Sequence, residues 1–177
     1  MINIRKAEKT DIKQIADIYE HIHNEESDGR LTTGWIKGVY PVEQTAADAV
    51  VRGEMYVCED EGDILASAII NHQQVDVYAG GDFIYEAPDD KIMVIHTLTV
   101  DPKAAGRGVG SAFVDFYEEL AKQENCTALR LDTNERNTGA RSLYNKLGYR
   151  EAGIVPCVFN GIPDVNLVLF EKRIKDI

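Results

Sequence analysis

Apolar and polar residues follow two rhythms along this chain, and Gly, Pro or Asn marks most changes between them. Ile2 to Arg5 reads as a short strand. Thr10 or Asp11 then stands as the N-cap of a helix with Ile12, Ile15, Ala16, Tyr19 and Ile22 on one face. His23 to Tyr40 keeps neither rhythm. It is polar and dotted with glycine, carries Trp35, Ile36 and Tyr40, and ends at Pro41. Connections of this length are usually functional or disordered. This one reads either as a substrate-touching loop or as a connection packed by its aromatics. Val42 to Arg52 reads as a second helix. Met55–Cys58 and Ile64–Asn71 read as strands joined in a hairpin across Glu59–Asp63.

Residues 72–90 form an irregular acidic insertion with room for an additional strand. Ile92 to Val100 is almost continuously apolar, which predicts a central strand buried on both faces. After a turn containing Gly106, Gly108 and Gly110, a helix places Val109, Phe113, Phe116, Tyr117 and Leu120 at helical spacing. Ala128–Thr133 is the next strand, so this unit predicts a right-handed parallel crossover. Asn137 caps a helix with Ala140, Leu143, Tyr144 and Leu147 on one face, and Gly148 stops it. Tyr149–Val155 and Val165–Glu171 are closing strands around the turn Asn160–Pro163. No repeat or linker interrupts the pattern, so residues 1–177 are expected to form one α/β domain with a mixed sheet.

Composition narrows the function. The chain has 177 residues, 44% of them apolar, as a globular domain requires. No apolar stretch approaches a membrane span, and the N-terminus lacks the pattern of a secretory signal. The three cysteines, Cys58, Cys126 and Cys157, are odd in number and widely spaced. They suggest neither a disulfide framework nor a metal site, and a cytoplasmic location is expected. A net charge of −11 argues against a broad nucleic-acid surface, which needs a basic footprint. The same charge either attracts a cationic substrate or serves solubility.

The chemistry concentrates in Thr99–Phe113, where a strand runs through the glycine turn into a helix. Main-chain N–H groups of residues 106–111 and the positive end of the helix dipole make an anion site suited to a pyrophosphate. No Lys follows Gly108 or Gly110, which excludes the phosphate loop of nucleotide hydrolases. Counting from Gly106 and Gly108, the third glycine of a dinucleotide fingerprint would fall at Ser111, which excludes that motif too. A third reading of such a turn is a site for an acyl-coenzyme A.

Here the chain resembles the GNAT superfamily of N-acyltransferases. The resemblance rests on Ile95-His-Thr-Leu-Thr-Val-Asp-Pro102, Ala105-Gly-Arg-Gly-Val-Gly110, Asn137, and Ala140-Arg-Ser-Leu-Tyr-Asn-Lys-Leu-Gly-Tyr149, in that order. It is clearest over residues 92–155. One departure is Ala105, where the family usually has Arg or Gln; Arg107 or Lys103 could supply the charge instead. The resemblance implies a mixed sheet of about seven strands flanked by helices. Its central parallel strands would splay apart beyond Val100 to admit the pantetheine arm of acetyl-CoA.

The resemblance also implies roles for residues. Leu98, Thr99 and Val100 would run beside the pantetheine, with the main-chain N–H near Leu98 facing the thioester carbonyl. Ala105, Gly106, Arg107, Gly108, Val109, Gly110 and Ser111 would hold the pyrophosphate, and Asn137 and Tyr144 would contact the coenzyme A arm. Tyr144 would be the general acid that protonates the leaving thiolate. The other reading of Tyr144 is a core residue on an apolar helix face. His96, counted on the same strand parity as Ile92, Val94, Leu98 and Val100, is either the general base or a hydrogen-bonded core histidine. Asp132 and Glu135 are the next candidates. The implied activity is direct transfer of acetyl from acetyl-CoA to a primary amine of a small molecule or peptide, with no metal; homodimers are common among such proteins. The alternative is an acyl-CoA-binding module without catalysis. Residues 23–40 and 72–90 are expected to shape the acceptor pocket, with Trp35 and Tyr40 as walls.

Overall fold

In the computed structural model, which describes residues 1–174, seven strands form one mixed sheet. They are β1 (Asn3–Lys6), β2 (Met55–Asp60), β3 (Asp63–Asn71), β4 (Ile92–Val100), β5 (Ala128–Asn134), β6 (Arg150–Phe159) and β7 (Ile162–Arg173). Their spatial order is β1-β2-β3-β4-β5-β7-β6. Only β4 and β5 pair in parallel; the other neighbours are antiparallel. The helices are α1 (Ile12–Ser27), α2 (Glu43–Val51), α3 (Val109–Gln123) and α4 (Thr138–Lys146).

Each face of the sheet is sealed by apolar residues that alternate along the strands. Met93 and Ile95 of β4, with Leu129 and Leu131 of β5, pack under Phe113, Val114 and Tyr117 of α3. On the opposite face, Ile15, Ile18, Tyr19 and Ile22 of α1 meet Met55 and Val57 of β2 and Ala46 and Ala49 of α2. Farther along that face, Tyr78 of the insertion covers Ile92, Val94, Leu167 and Leu169.

Several local expectations need correction. α1 continues to Ser27, past the predicted stop, because His23 is buried and its Nε2 lies 2.9 Å from the Pro41 carbonyl oxygen. Asp11 does not cap α1 with its side chain; it accepts the Glu8 N–H at 2.7 Å and binds the Arg5 guanidinium. The insertion contains two 3₁₀ turns, Asp76–Gly80 and Asp89–Lys91, and no strand. β6 and β7 run longer than their apolar patterns suggest. Asn160 and Gly161, at φ 51° and 77°, form a tight two-residue turn between them.

The main departure is in β4. Ser67↔Thr99 and Ile69↔His96 are paired with β3, so β4 carries one extra residue between the two rungs. Thr97 takes φ 51° at this bulge. Side-chain parity therefore reverses. Ile92 and Val94 face the insertion, whereas Leu98 and Val100 face α3. His96 does not share a face with Leu98 and Val100, as simple alternation predicts.

Candidate active site

β4 and β5 stay paired only through Ile92↔Ala128, Met93↔Leu129 and Val94↔Arg130. The parting thus begins after Val94, earlier than the expected point beyond Val100. Buried Tyr117 sits at the fork, its hydroxyl 2.6 Å from the Met93 carbonyl oxygen and 3.2 Å from that of Arg130. Beyond the fork the β5-facing edge of β4 has no strand partner. A cleft of about 200 Å³ fills the gap. Leu98, Thr99 and Val100 line it on β4, Asp132, Thr133 and Asn134 on β5, and Asn137, Ala140 and Tyr144 at α4. Trp35 and Tyr40 form its wall on the other side of the sheet, with Phe159 and Asn160 from the β6–β7 turn.

The glycine turn lies at the start of α3. Gly106 and Gly108 have φ 76° and 72°, and a Cβ on either would meet nothing within 4 Å. Gly108 is the N-cap, in left-handed conformation with no side-chain cap. The N–H groups of Gly106 and of Gly108 through Ser111 donate to no main-chain carbonyl among the described residues. Those of Ala105 and Arg107 do donate, to Pro102 at 3.2 Å and Ala104 at 3.3 Å. The Arg107 guanidinium is turned away to Asp60 at 2.8 Å. Open amides at the start of a helix fit an anion such as a diphosphate.

Asp132 is enclosed where the gap opens. Its Oδ2 accepts the Tyr78 hydroxyl at 2.7 Å. Its Oδ1 accepts no hydrogen bond from the described residues and is not sealed off, and the residue borders both the cleft and an adjoining cavity. Burial pushes the carboxyl up to about 6, and the Tyr78 hydrogen bond opposes the rise. The carboxyl is still ionised at neutral pH and is a far stronger base than an exposed aspartate.

Tyr144 is buried against Tyr149 and Phe170 in edge-to-face contacts. Burial first, and the Asp132 charge second, raise its pKa, so the phenol keeps its proton. Asn137 Oδ1 accepts the Ala140 N–H at 3.2 Å and caps α4, while the residue also lines the cleft.

A model of the Acetyltransferase (GNAT) family matches residues 14–149. The chain belongs to this family. An uncharacterised N-acetyltransferase of Methanocaldococcus jannaschii is 34% identical over 65 residues, 37% of this chain and 29% of that protein. The uncharacterised N-acetyltransferase YhfO of Bacillus subtilis is 34% identical over 61 residues, 34% of this chain and 41% of that protein. The match therefore spans less than half the length of these curated relatives. A GNAT-family acetyltransferase from Streptococcus agalactiae superposes with a TM-score of 0.81 at 23% identity, covering 99% of this chain and 96% of that one. A Salmonella typhimurium acetyltransferase solved with acetyl-CoA gives 0.68 at 16% identity, covering 99% and 95%. These two likenesses are of fold.

In this GNAT protein the structure separates His96 from the cleft walls. The side chain faces an adjoining cavity, where its Nε2 lies 2.8 Å from Asn71 Oδ1. Burial pushes the imidazole down to about 4, which leaves it neutral and a poor proton acceptor. Glu135 binds the Asn166 amide at 3.0 Å and lines a neighbouring pocket. Thr99 has its hydroxyl turned to Ser67, 2.8 Å from Oγ, so only its main chain is free for the cleft. Phe159 and Asn160 were not legible as site residues, because only the length of β6 brings them over the gap. Tyr78 gave no signal either: its partner lies 54 positions away. Among the described residues no helix is long and apolar enough to cross a membrane, and no metal-binding cluster occurs.

Proposed function

We propose that this GNAT acetyltransferase uses acetyl-CoA and transfers acetyl directly to a primary amine. The parting of β4 from β5 supports the reading most: it leaves an open strand edge between a diphosphate cradle and an ionised, enclosed carboxylate. Acetyl-CoA supplies the activated acetyl thioester.

The amides of Gly106 and Gly108–Ser111 bind the diphosphate, and the β4 edge from Leu98 to Val100 binds the arm. Asp132 Oδ1 first attracts the acceptor as an ammonium ion and then takes its proton, leaving the nitrogen lone pair free to attack the thioester carbon. The Leu98 N–H stabilises the oxyanion that develops there; one such donor is typically worth about a hundredfold in rate. As the carbon–sulfur bond breaks, the Tyr144 hydroxyl gives its proton to the sulfur. The proton on Asp132 and the one lost by Tyr144 are later exchanged with water.

A cysteine relay is disfavoured, since burial raises the thiols of Cys58, Cys126 and Cys157. The aromatic wall of Trp35, Tyr40 and Phe159 beside a carboxylate suits an amine carried on a compact apolar or cationic body.

The test is release of free thiol from acetyl-CoA in the presence of monoamines, polyamines, amino acids, aminoglycosides and peptide N-termini. Amine-dependent release with matching N-acetyl product is expected. Thermal stabilisation by acetyl-CoA with no release against any amine would instead leave a binding module.

A further inference from the structure

Most of the insertion between β3 and β4 is held by structural contacts. Buried Glu171 of β7 accepts the Ile84 and Tyr85 N–H groups at 2.9 and 3.1 Å and the Arg150 guanidinium at 2.6 Å. Arg130 lies over the Phe83 ring, 3.8 Å from its centroid. Tyr78 is different. It is buried with its ring against Phe83, yet its hydroxyl reaches the carboxylate that borders the cleft.

We propose that Tyr78 is a positioning residue that aims Asp132 Oδ1 into the cleft and sets the pH at which Asp132 takes up a proton. The proposal rests on the reading of Asp132 as proton acceptor. A carboxylate rotates broadly about its last torsion. One fixed donor on Oδ2 removes that freedom and leaves Oδ1 for the amine. The same donation stabilises the charged form and works against burial.

Among the described residues no other side chain hydrogen-bonds Asp132. Tyr40 from the loop before α2 pairs its hydroxyl with Thr97 Oγ1, and Tyr144 from α4 and Cys157 from β6 lie near Asp132 without bonding it; burial raises the pKa of all three, so they stay neutral beside the carboxylate. His96 of β4, across the adjoining cavity, is held neutral by burial. From α2, Asp48 and Arg52 also border that cavity, but they bind Gln44 at 2.6 Å and Glu54 at 2.8 Å. Arg130, on the same strand as Asp132, is committed to Gln74 and the Phe83 ring. Burial also raises the pKa of Tyr78 itself, so it stays a donor wherever the carboxylate is charged.

The test is the pH titration of the Asp132 carboxyl carbon by NMR in the full chain, with three forms of position 78. In the native protein the midpoint is expected at about 6. Tyr78→Phe should move it up by about one unit. 3-Fluorotyrosine at position 78, a stronger donor of nearly the same shape, should move it down. The acid limb of turnover, read with the best acceptor of the amine panel, should shift in the same directions. Turnover of Tyr78→Phe should fall about tenfold while affinity for acetyl-CoA is unchanged. The fluorinated form answers the question even if Tyr78→Phe does not fold. A titration that ignores both substitutions overturns the proposal. Native turnover in Asp132→Asn would instead overturn the role of Asp132 as proton acceptor.

Discussion

The two halves of β4 obey different physics. From Ile92 to Ile95 the strand is fully buried, paired with β5 as far as Val94 and pinned by the Tyr117 hydroxyl. From His96 to Val100 it bulges, loses β5 and becomes mostly half-buried. The first half maximises apolar burial, worth about 25 cal/mol per Å² of apolar surface. The second gives up ladder hydrogen bonds on one edge, and these net about 1 kcal/mol each. A fold that leaves such an edge open beside an enclosed carboxylate has spent stability where a ligand can restore it. The contrast teaches that the buried half fixes the position of the open half.

Removing the anion grip should give the largest effect. Gly108→Glu should weaken acetyl-CoA binding at least ~100-fold by calorimetry, because a carboxylate would face the diphosphate at the mouth of α3. Near-native affinity would detach the cradle from the open half of the strand.

Asp132→Asn should lower turnover by about 10² to 10³ while acetyl-CoA affinity holds. Its stability should move the other way. Burial raises the carboxyl from the ordinary aspartate value of 3.8 to about 6, so between these values the folded chain binds the extra proton. Native stability from this group therefore falls as pH rises through that window, and above it the cost is complete. Water in the cleft screens part of it, so Asp132→Asn should gain about 1–2 kcal/mol at neutral pH, seen as a higher Tm. His96 has the opposite sign. Its pKa is depressed from 6.5 to about 4, so its contribution is present above 6.5 and is lost as pH falls through that window. Without Asp132 to oppose it, Tm of the variant should climb more steeply between about pH 4 and 6 than Tm of the native chain.

Tyr144→Phe should slow turnover about 10- to 30-fold with little change in acetyl-CoA affinity, measured by stopped-flow and titration. Unchanged turnover would return Tyr144 to the apolar core. The smallest effect belongs to His96→Gln. Less than about a twofold change in turnover, with the acid limb in place, is expected for a neutral imidazole held by Asn71. A large loss with a displaced limb would restore His96 as the base.

The sheet was legible because its signals are local. Continuous apolar runs, the glycine stop at 148 and the Asn137 cap each act over a few residues. The glycine turn was legible for the same reason, since φ-tolerant glycines at 106 and 108 announce themselves. The bulge did not, because Thr97 is β-branched and nothing in its type foretells a positive φ. That single extra residue reversed the expected side of His96. Asp132 stood only among the alternatives, since its burial comes from the insertion and the β6–β7 turn, both distant in sequence.

The tip of the β6–β7 turn nearly meets the loop before α2: a Cβ built on Gly161 would sit 3.5 Å from Val39 Cγ1. Together the two tips form an arch over one end of the cleft, while the open amides of the glycine turn lie at the start of α3. If acetyl-CoA and an amine use the cleft as proposed, two visitors have separate doorways, and neither product blocks the other's way out.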